Sequence, residues 1–194
     1  GHLSWYQLTI ERNTQSWKSK PLLPNELVID AIQFQGASVI EKAGLRQYEV
    51  SAYSLPGEMC KHNFNYWSFG DYLGIGAGAH GKISRNDGQI LRTRHTRSPS
   101  KYVTKMLRDK KKNPRAEPIP SSQLTAEFVM NALRLTEGCP LEVFEKRTGL
   151  NRGKLEKPVA KSIDFGWLHP LSSGRVVTTK LGYRFLDSVV ASFF

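Results

Sequence analysis

The stretch best equipped for chemistry is His62-Asn63-Phe64-Asn65-Tyr66-Trp67. A neutral imidazole can serve as an axial ligand to haem iron, and the rings of Tyr66 and Trp67 could offer flat apolar surface to a porphyrin. The competing reading is structural: a loop whose aromatics cement a sheet or barrel edge while His62 caps a backbone group. Spacing alone favours that plainer reading, because an isolated histidine more often serves packing than catalysis.

A second candidate is Gly74-Ile75-Gly76-Ala77-Gly78-Ala79-His80-Gly81. It satisfies the letter pattern G-x-G-x-x-A of a dinucleotide fingerprint. Its context is wrong, since Lys82 onward breaks into turns instead of opening an apolar-periodic helix, and no acidic residue follows at about 20 positions. A nicotinamide site is therefore not expected. A cofactor-facing loop, which glycine permits by letting backbone approach a ligand, and a tight turn with no ligand both stay open.

The net charge of +11 is concentrated. Between Lys82 and Arg115 there are 12 Lys or Arg against Asp87 and Asp109, a net of +10, so the remainder is nearly neutral. Such a run can attract phosphates, anionic lipid headgroups or haem propionates, or it can be a solvated loop. No C-x-x-C or H-E-x-x-H motif, paired catalytic carboxylates or serine with a placed histidine is present.

The elements that must position these residues can be outlined. Ser4 to Ile10 and Tyr48 to Tyr53 read as strands, rich in aromatic and β-branched side chains. Between them Asn25 is a plausible N-cap, and Val28, Ile32, Val39 and Ala43 recur at helical spacing up to Gly44. Strand, helix and strand predict a βαβ unit with a parallel sheet. A short strand is expected at Tyr72 to Ile75. From Lys82 to Ser122 the pattern dissolves into a solvated connector, with Asn86-Asp87-Gly88 able to close a small hairpin.

Beyond the connector, Ser121 or Ser122 should cap a helix burying Leu124, Phe128, Ala132 and Leu135. Pro140 suits the first turn of the next helix, ended by Gly149. A third stretch carries Leu155, Val159 and Ile163. Trp167-Leu168 and Arg175 to Thr179 predict a two-stranded wing, and a last helix should bury Leu181, Phe185, Leu186, Val189 and Val190. Three helices and a hairpin suggest a winged-helix domain. Lys154, Lys157 and Lys161 share a face, but Pro158 should interrupt that helix, and the near-neutral charge argues against specific nucleic-acid binding. The expected division is 1–81, a connector over 82–120, and 121–194.

With 39% apolar and 23% charged residues, the composition is that of an ordinary globular chain of 194 residues. No apolar run reaches the length of a membrane span, and no signal peptide is expected. The start at Gly1, without a leading Met, suggests a fragment. Cys60 and Cys139 are too few for a disulfide framework and fit a reducing, cytoplasmic compartment. Two thiolates cannot hold a four-iron cluster, which normally takes three or four.

Taken together, Leu3 to Glu11, Gly44 to Tyr53, His62 to Trp67 and Tyr72 to Gly81 resemble the carboxy-terminal half of the oxygen-independent coproporphyrinogen-oxidase-like radical-SAM proteins. The H-N-x-x-Y-W signature is similar to the haem-chaperone, HemW-type branch of that family, where it is implicated in holding haem. The resemblance implies an α/β architecture: late strands of a partial (β/α) radical-SAM barrel, then a small α+β winged-helix-like domain. It implies haem as ligand, with His62 as the candidate iron ligand and Asn63, Tyr66 and Trp67 as further haem contacts. For the full-length protein it implies a [4Fe-4S] cluster and S-adenosyl-L-methionine, with Thr9, Gly76 and His80 matching positions that line the cofactor cavity. The cluster motif C-x-x-x-C-x-x-C is absent here, so no iron–sulfur ligands are expected in this chain and radical chemistry is not expected of it alone. A haem-accepting protein, membrane-associated or not, is the implied partner. The alternatives are an oxygen-independent coproporphyrinogen III oxidase and, more distantly, a winged-helix nucleic-acid binder.

Overall fold

The computed structural model describes residues 1–108 and 115–194. Lys110, Lys111 and Lys112 of the basic run lie outside the described residues. The chain folds into two units, Gly1–Cys60 and Lys61–Phe194. A strand over His80–Ser84 crosses the boundary expected at residue 81.

The first unit opens with β1, His2–Ser4, shorter and earlier than the strand expected over 4–10. An irregular stretch leads to the single turn α1, Gln15–Lys18, and then to α2, Glu26–Lys42. The Asn25 side chain caps α2 by accepting from Val28 N at 3.0 Å, as its position predicted. Gly44, at φ 84°, turns the chain out of the helix. Mid-helix Gly36 has a packing reason, since a Cβ there would collide with the Trp5 indole. Strands β2, Arg46–Glu49, and β3, Ala52–Ser54, complete a sheet of order β1-β3-β2. Both pairings are antiparallel, which replaces the parallel βαβ pairing expected from sequence. Residue pattern identifies a strand, but not its partner.

The second unit begins with α3, Lys61–Trp67, so the aromatic hexapeptide is helical and not a loop. The expected strand at 72–75 reduces to one bridge, Tyr72 to Lys82. Two strands follow, β4 at His80–Ser84 and β5 at Ile90–Arg94, joined by the turn predicted at Asn86-Asp87-Gly88. Helix α4 covers Pro99–Arg108, and β6, Arg115–Pro118, adds antiparallel to β5. The supposed connector is therefore largely regular structure among its described residues.

Helix α5, Ser121–Ala132, starts from Pro120 without the serine cap expected for it. The two-residue strand β7, Cys139–Pro140, precedes α6, Leu141–Thr148, which stops at the left-handed Gly149. Pro140 stands at the N-cap instead of in the first turn. Helix α7, Gly153–Asp164, runs through Pro158 without a break. Strand β8, Arg175–Val176, pairs with β7, while Leu168 and Thr178 form the bridge of the wing. The final helix is split into α8, Lys180–Arg184, and α9, Leu186–Ala191. The split leaves Leu181 and Phe185 about half exposed, while Leu186 and Val189 are buried as expected.

The core of this unit is a file of rings. Phe69 packs on Phe128 at 5.8 Å and Phe128 on Phe144 at 5.1 Å, edge to face. Leu124, Val129, Leu133, Leu155, Val159, Val176 and Val189 surround them, all buried. Each such side chain contributes about 1.5–3 kcal/mol of transfer free energy.

Candidate functional site

Helix α3 is short, so its own hydrogen bonds cannot fix its orientation; the turn after it does that. Ser68 N and Ser68 Oγ donate to the Phe64 carbonyl at 2.9 and 2.6 Å. Gly70 N donates to the Asn65 carbonyl at 2.7 Å, and Asn65 Nδ2 donates to the Asp71 carbonyl at 2.9 Å. Phe69 sits at φ 60°, a region that costs a non-glycine residue energy. Its ring is fully buried against Phe128, which supplies the compensation. The far end of α3 is thus nailed to the core.

The four residues singled out on α3 are not equivalent. His62 is exposed, and among the described residues no hydrogen bond or ion pair engages its imidazole. Asn63 is half-buried and has interactions of its own. Tyr66 stands one turn beyond His62 and therefore on the same face. Its ring meets Trp67 edge-on at 4.6 Å and Tyr72 at 4.7 Å. Trp67 is half-buried with the Arg134 guanidinium 5.0 Å over its ring, while its Nε1 is buried without a partner among the described residues.

The glycine-rich loop is held by its own chain. Gly76 N donates to the Tyr102 hydroxyl at 3.2 Å, and Gly78 N donates to the Thr96 carbonyl at 2.8 Å. His95 Nε2 lies 3.1 Å from the Gly74 carbonyl, so that nitrogen carries the proton in this contact. A Cβ at Gly74 would collide with the His80 carbonyl, so this glycine is needed for packing. Gly76 differs: at φ 108° it has open space where a Cβ would stand. Thr9 is an exposed residue of the irregular stretch in the first unit.

Tyr66 and His80, predicted separately, line one cavity of about 160 Å³ together with Phe69, Tyr72, Lys82, Arg92, Glu127, Met130 and Asn131. Lys82 is only 3% exposed, so this member of the basic run is interior, not solvated. Its ammonium donates to Asp71 Oδ1 at 3.0 Å and stands 4.3 Å over the Phe69 ring. Burial pulls the Lys82 pKa below its ordinary value against the opposing pull of Asp71. Burial works against the Asp71 carboxylate too, but hydrogen bonds from Ser84 N, Lys82 and Ser84 Oγ outweigh it and lower its pKa. Arg92 pairs with Glu127, whose carbonyl accepts from Asn131 Nδ2 at 2.7 Å. Burial, reinforced by a hydrogen bond with Tyr66, raises the Tyr72 phenol.

Sequence reasoning missed Asp71, Tyr72, Arg92, Glu127 and Asn131 as site residues. A lone Asp after an aromatic run gives no signal, and Glu127 looked like one more surface acid. Among the described residues no group of three His, Cys, Asp or Glu could hold a metal ion. Cys139 is buried, with its thiol pushed up to about 12 by burial. Cys60, half-buried, is the other thiol. This donor set does not fit a four-iron cluster.

No family model matches the chain. Individual relatives do. Over 192 residues the chain is 41% identical to the haem chaperone HemW of Escherichia coli, a match covering 99% of this chain and 49% of that protein. It is 38% identical to HemW of Haemophilus influenzae with the same coverage. Over nearly its whole length the chain is similar to HemW-type haem chaperones. It spans about half the length of these curated relatives and matches their carboxy-terminal portion. A mitochondrial radical S-adenosyl methionine domain-containing protein 1 of Danio rerio is 32% identical over 144 residues, 71% of this chain and 32% of that protein.

The fold agrees with this placement. A solved structure of the radical-SAM enzyme coproporphyrinogen III oxidase (HemN) from Escherichia coli superposes with a TM-score of 0.60 at 13% identity. The match covers 88% of this chain and 42% of that one. At that identity it speaks for architecture alone, and the mixed α/β class expected from sequence is borne out. Among the described residues no helix is long and apolar enough to cross a membrane.

Proposed function

We propose that this chain binds haem and forms part of a cytoplasmic protein that passes haem to an acceptor, with His62 as the iron ligand. The observation that carries this reading is the pairing of an open imidazole with a rigid mount. His62 is exposed at the start of α3, whereas the other end of that helix is locked by Asn65, Ser68 and buried Phe69. A ligand group that must meet iron and later release it benefits from both features. Tyr66, on the His62 face, contacts the macrocycle; Trp67 supplies an edge to that surface while Arg134 holds its ring; Asn63 orients the first turn.

The cavity beside Tyr66 is too small to enclose a macrocycle, since pockets for ligands of drug size run from about 300 to 1,000 Å³. Haem on this chain therefore lies against an open surface, which suits a carrier better than a resident cofactor. S-adenosylmethionine and a [4Fe-4S] cluster are proposed for the full-length protein only, with Thr9, Gly76 and His80 as candidate contacts to the former. The acceptor is proposed to be a haem-binding protein.

Titrating the chain with haem should give a Soret band that saturates at one haem per chain. His62→Ala should weaken binding about tenfold or more and alter the band, because an axial ligand is lost. An unchanged spectrum and affinity in that variant would remove His62 from the mechanism. No saturable binding in the parent chain would overturn the reading itself.

A further inference from the structure

The proposed iron ligand lies one helical turn from a residue that lines a small charged cavity. His62 and Tyr66 are four residues apart on α3, a rise of about 6 Å, and Tyr66 lines that cavity. Among the lining residues Lys82 and Arg92 are cationic and Glu127 is anionic; with Asp71 the four charges balance, so what the cavity offers is spare N–H donors. Asp71, which neutralises Lys82, is not part of the lining. We propose that this cavity is a carboxylate socket that takes one propionate of a haem whose iron meets His62.

Three features support the assignment, which rests on the haem-binding reading above. The first is size. At about 30 Å³ per water the cavity holds roughly five waters, enough for a propionate arm and far too little for a tetrapyrrole. The second is donor capacity. Lys82 has three N–H donors, and among the described residues Asp71 is the one hydrogen-bond acceptor it meets. Arg92 has five donors in a fork and is paired with the single carboxylate of Glu127. Both cations can accept a second carboxylate without releasing the first. The third is solvation. Lys82 is almost wholly removed from water, so a carboxylate reaching it forms a charge-assisted hydrogen bond in a low-dielectric setting, where such bonds are strong. Tyr66, Tyr72 and Asn131 also line the cavity.

The test compares haem with its dimethyl ester, in which both propionates are uncharged, on the full chain. The socket predicts that the ester binds about tenfold or more weakly, the worth of a hydrogen bond to a charged group. Arg92→Gln should weaken haem while leaving the ester unchanged. Equal affinity for haem and ester in the parent chain overturns the socket and leaves His62 standing. If neither porphyrin binds, the haem reading fails. The socket is then judged with sodium propionate followed by NMR: saturable shifts at Tyr66 and His80 support a carboxylate site, and their absence overturns it. Glu127→Gln guards against mere damage, because removing the like charge of its carboxylate should tighten propionate severalfold. Weakening of propionate by both variants overturns the proposal.

Discussion

The two units solve the problem of staying folded in different ways. In Gly1–Cys60 the buried residues are Tyr48, Glu49, Ala52, Tyr53 and Ser54, all on or beside the small sheet. Helix α2 runs 17 residues with none buried, although Leu27, Phe34 and Val39 are large and apolar and point to more than one side. A helix apolar on several sides has the sequence of a buried helix. In Lys61–Phe194 helices α5, α6, α7 and α9 carry buried residues around the Phe69–Phe128–Phe144 file, and charges near it are paired. The proposed site sits on this second kind of structure, where packing fixes side-chain positions. The lesson is that precision in this chain comes from the core under α3 and not from α3 itself.

The sharpest way to test that contrast uses the two thiols, one in each unit. Cys139 is buried with its pKa pushed up to about 12. At pH 8 its thiolate fraction is then about one in 10,000, and only the thiolate reacts. Cys60 is half-buried. Under native conditions an alkylating reagent should label Cys60 at least a thousandfold faster than Cys139, read by mass spectrometry. Comparable rates would mean that the second unit opens as readily as the first.

Truncating an aromatic in each unit comes next. Phe128→Ala removes the central ring of the file and should cost about 3–5 kcal/mol in urea unfolding. Phe34→Ala in α2, where the side chain is 79% exposed, should change stability by about 0.5 kcal/mol or less. Similar losses at the two positions would break the distinction drawn here.

The charged layer over the core gives a smaller, pH-dependent effect. Asp71→Asn leaves the buried Lys82 without its carboxylate and should cost about 1–3 kcal/mol at neutral pH. Because the folded-state pKa of Asp71 is lowered, its contribution is present in full above the unfolded value of about 3.9. It is lost as pH falls through the folded value. The stability gap between parent and variant should therefore shrink in strong acid. A gap that stays constant or widens there would show that Asp71 does not act through its charge.

Legibility in the sequence follows the range of the interaction. The cap at Asn25, the stop at Gly149 and the turn at Asn86-Asp87-Gly88 were readable because each is decided within a few residues. The antiparallel order β1-β3-β2 was not, because strands of three or four residues carry no information about partners. The sequence suggests a loop where α3 lies: the helix is under two turns long, too short to be periodic, and it depends on the core that anchors its end. By sequence Lys82 belongs to a charge run expected to be solvated, and only its partners Asp71 and Phe69, distant along the chain, make it interior. The break at Phe185 shifts the helical phase between α8 and α9, and so Leu181 and Phe185 missed their expected burial. His62 could be singled out as a residue, yet the cavity it neighbours is assembled from α3, β4, β5 and α5.

The smallest predicted effect bears on how α2 persists without a buried face. Packing normally supplies most of a helix's stability in a protein, and α2 must rely more on local terms. Asn25 accepts from Val28 N, satisfying one of the helix's otherwise unpaired amides, and Glu26 in the first turn suits the positive end of the dipole. Asn25→Ala should cost about 1 kcal/mol. Because little else holds the helix, that loss should appear as faster amide exchange along α2, with the amides of α5 unaffected. Thr179 caps α8 in the same manner, accepting from Gly182 N at 3.1 Å. There Thr179→Ala removes a comparable bond from a helix followed by buried Leu186 and Val189, so fraying should stay within its first turn. If both substitutions fray their helices to the same extent, α2 is supported by packing after all, and the contrast between the two units narrows to their number of buried residues.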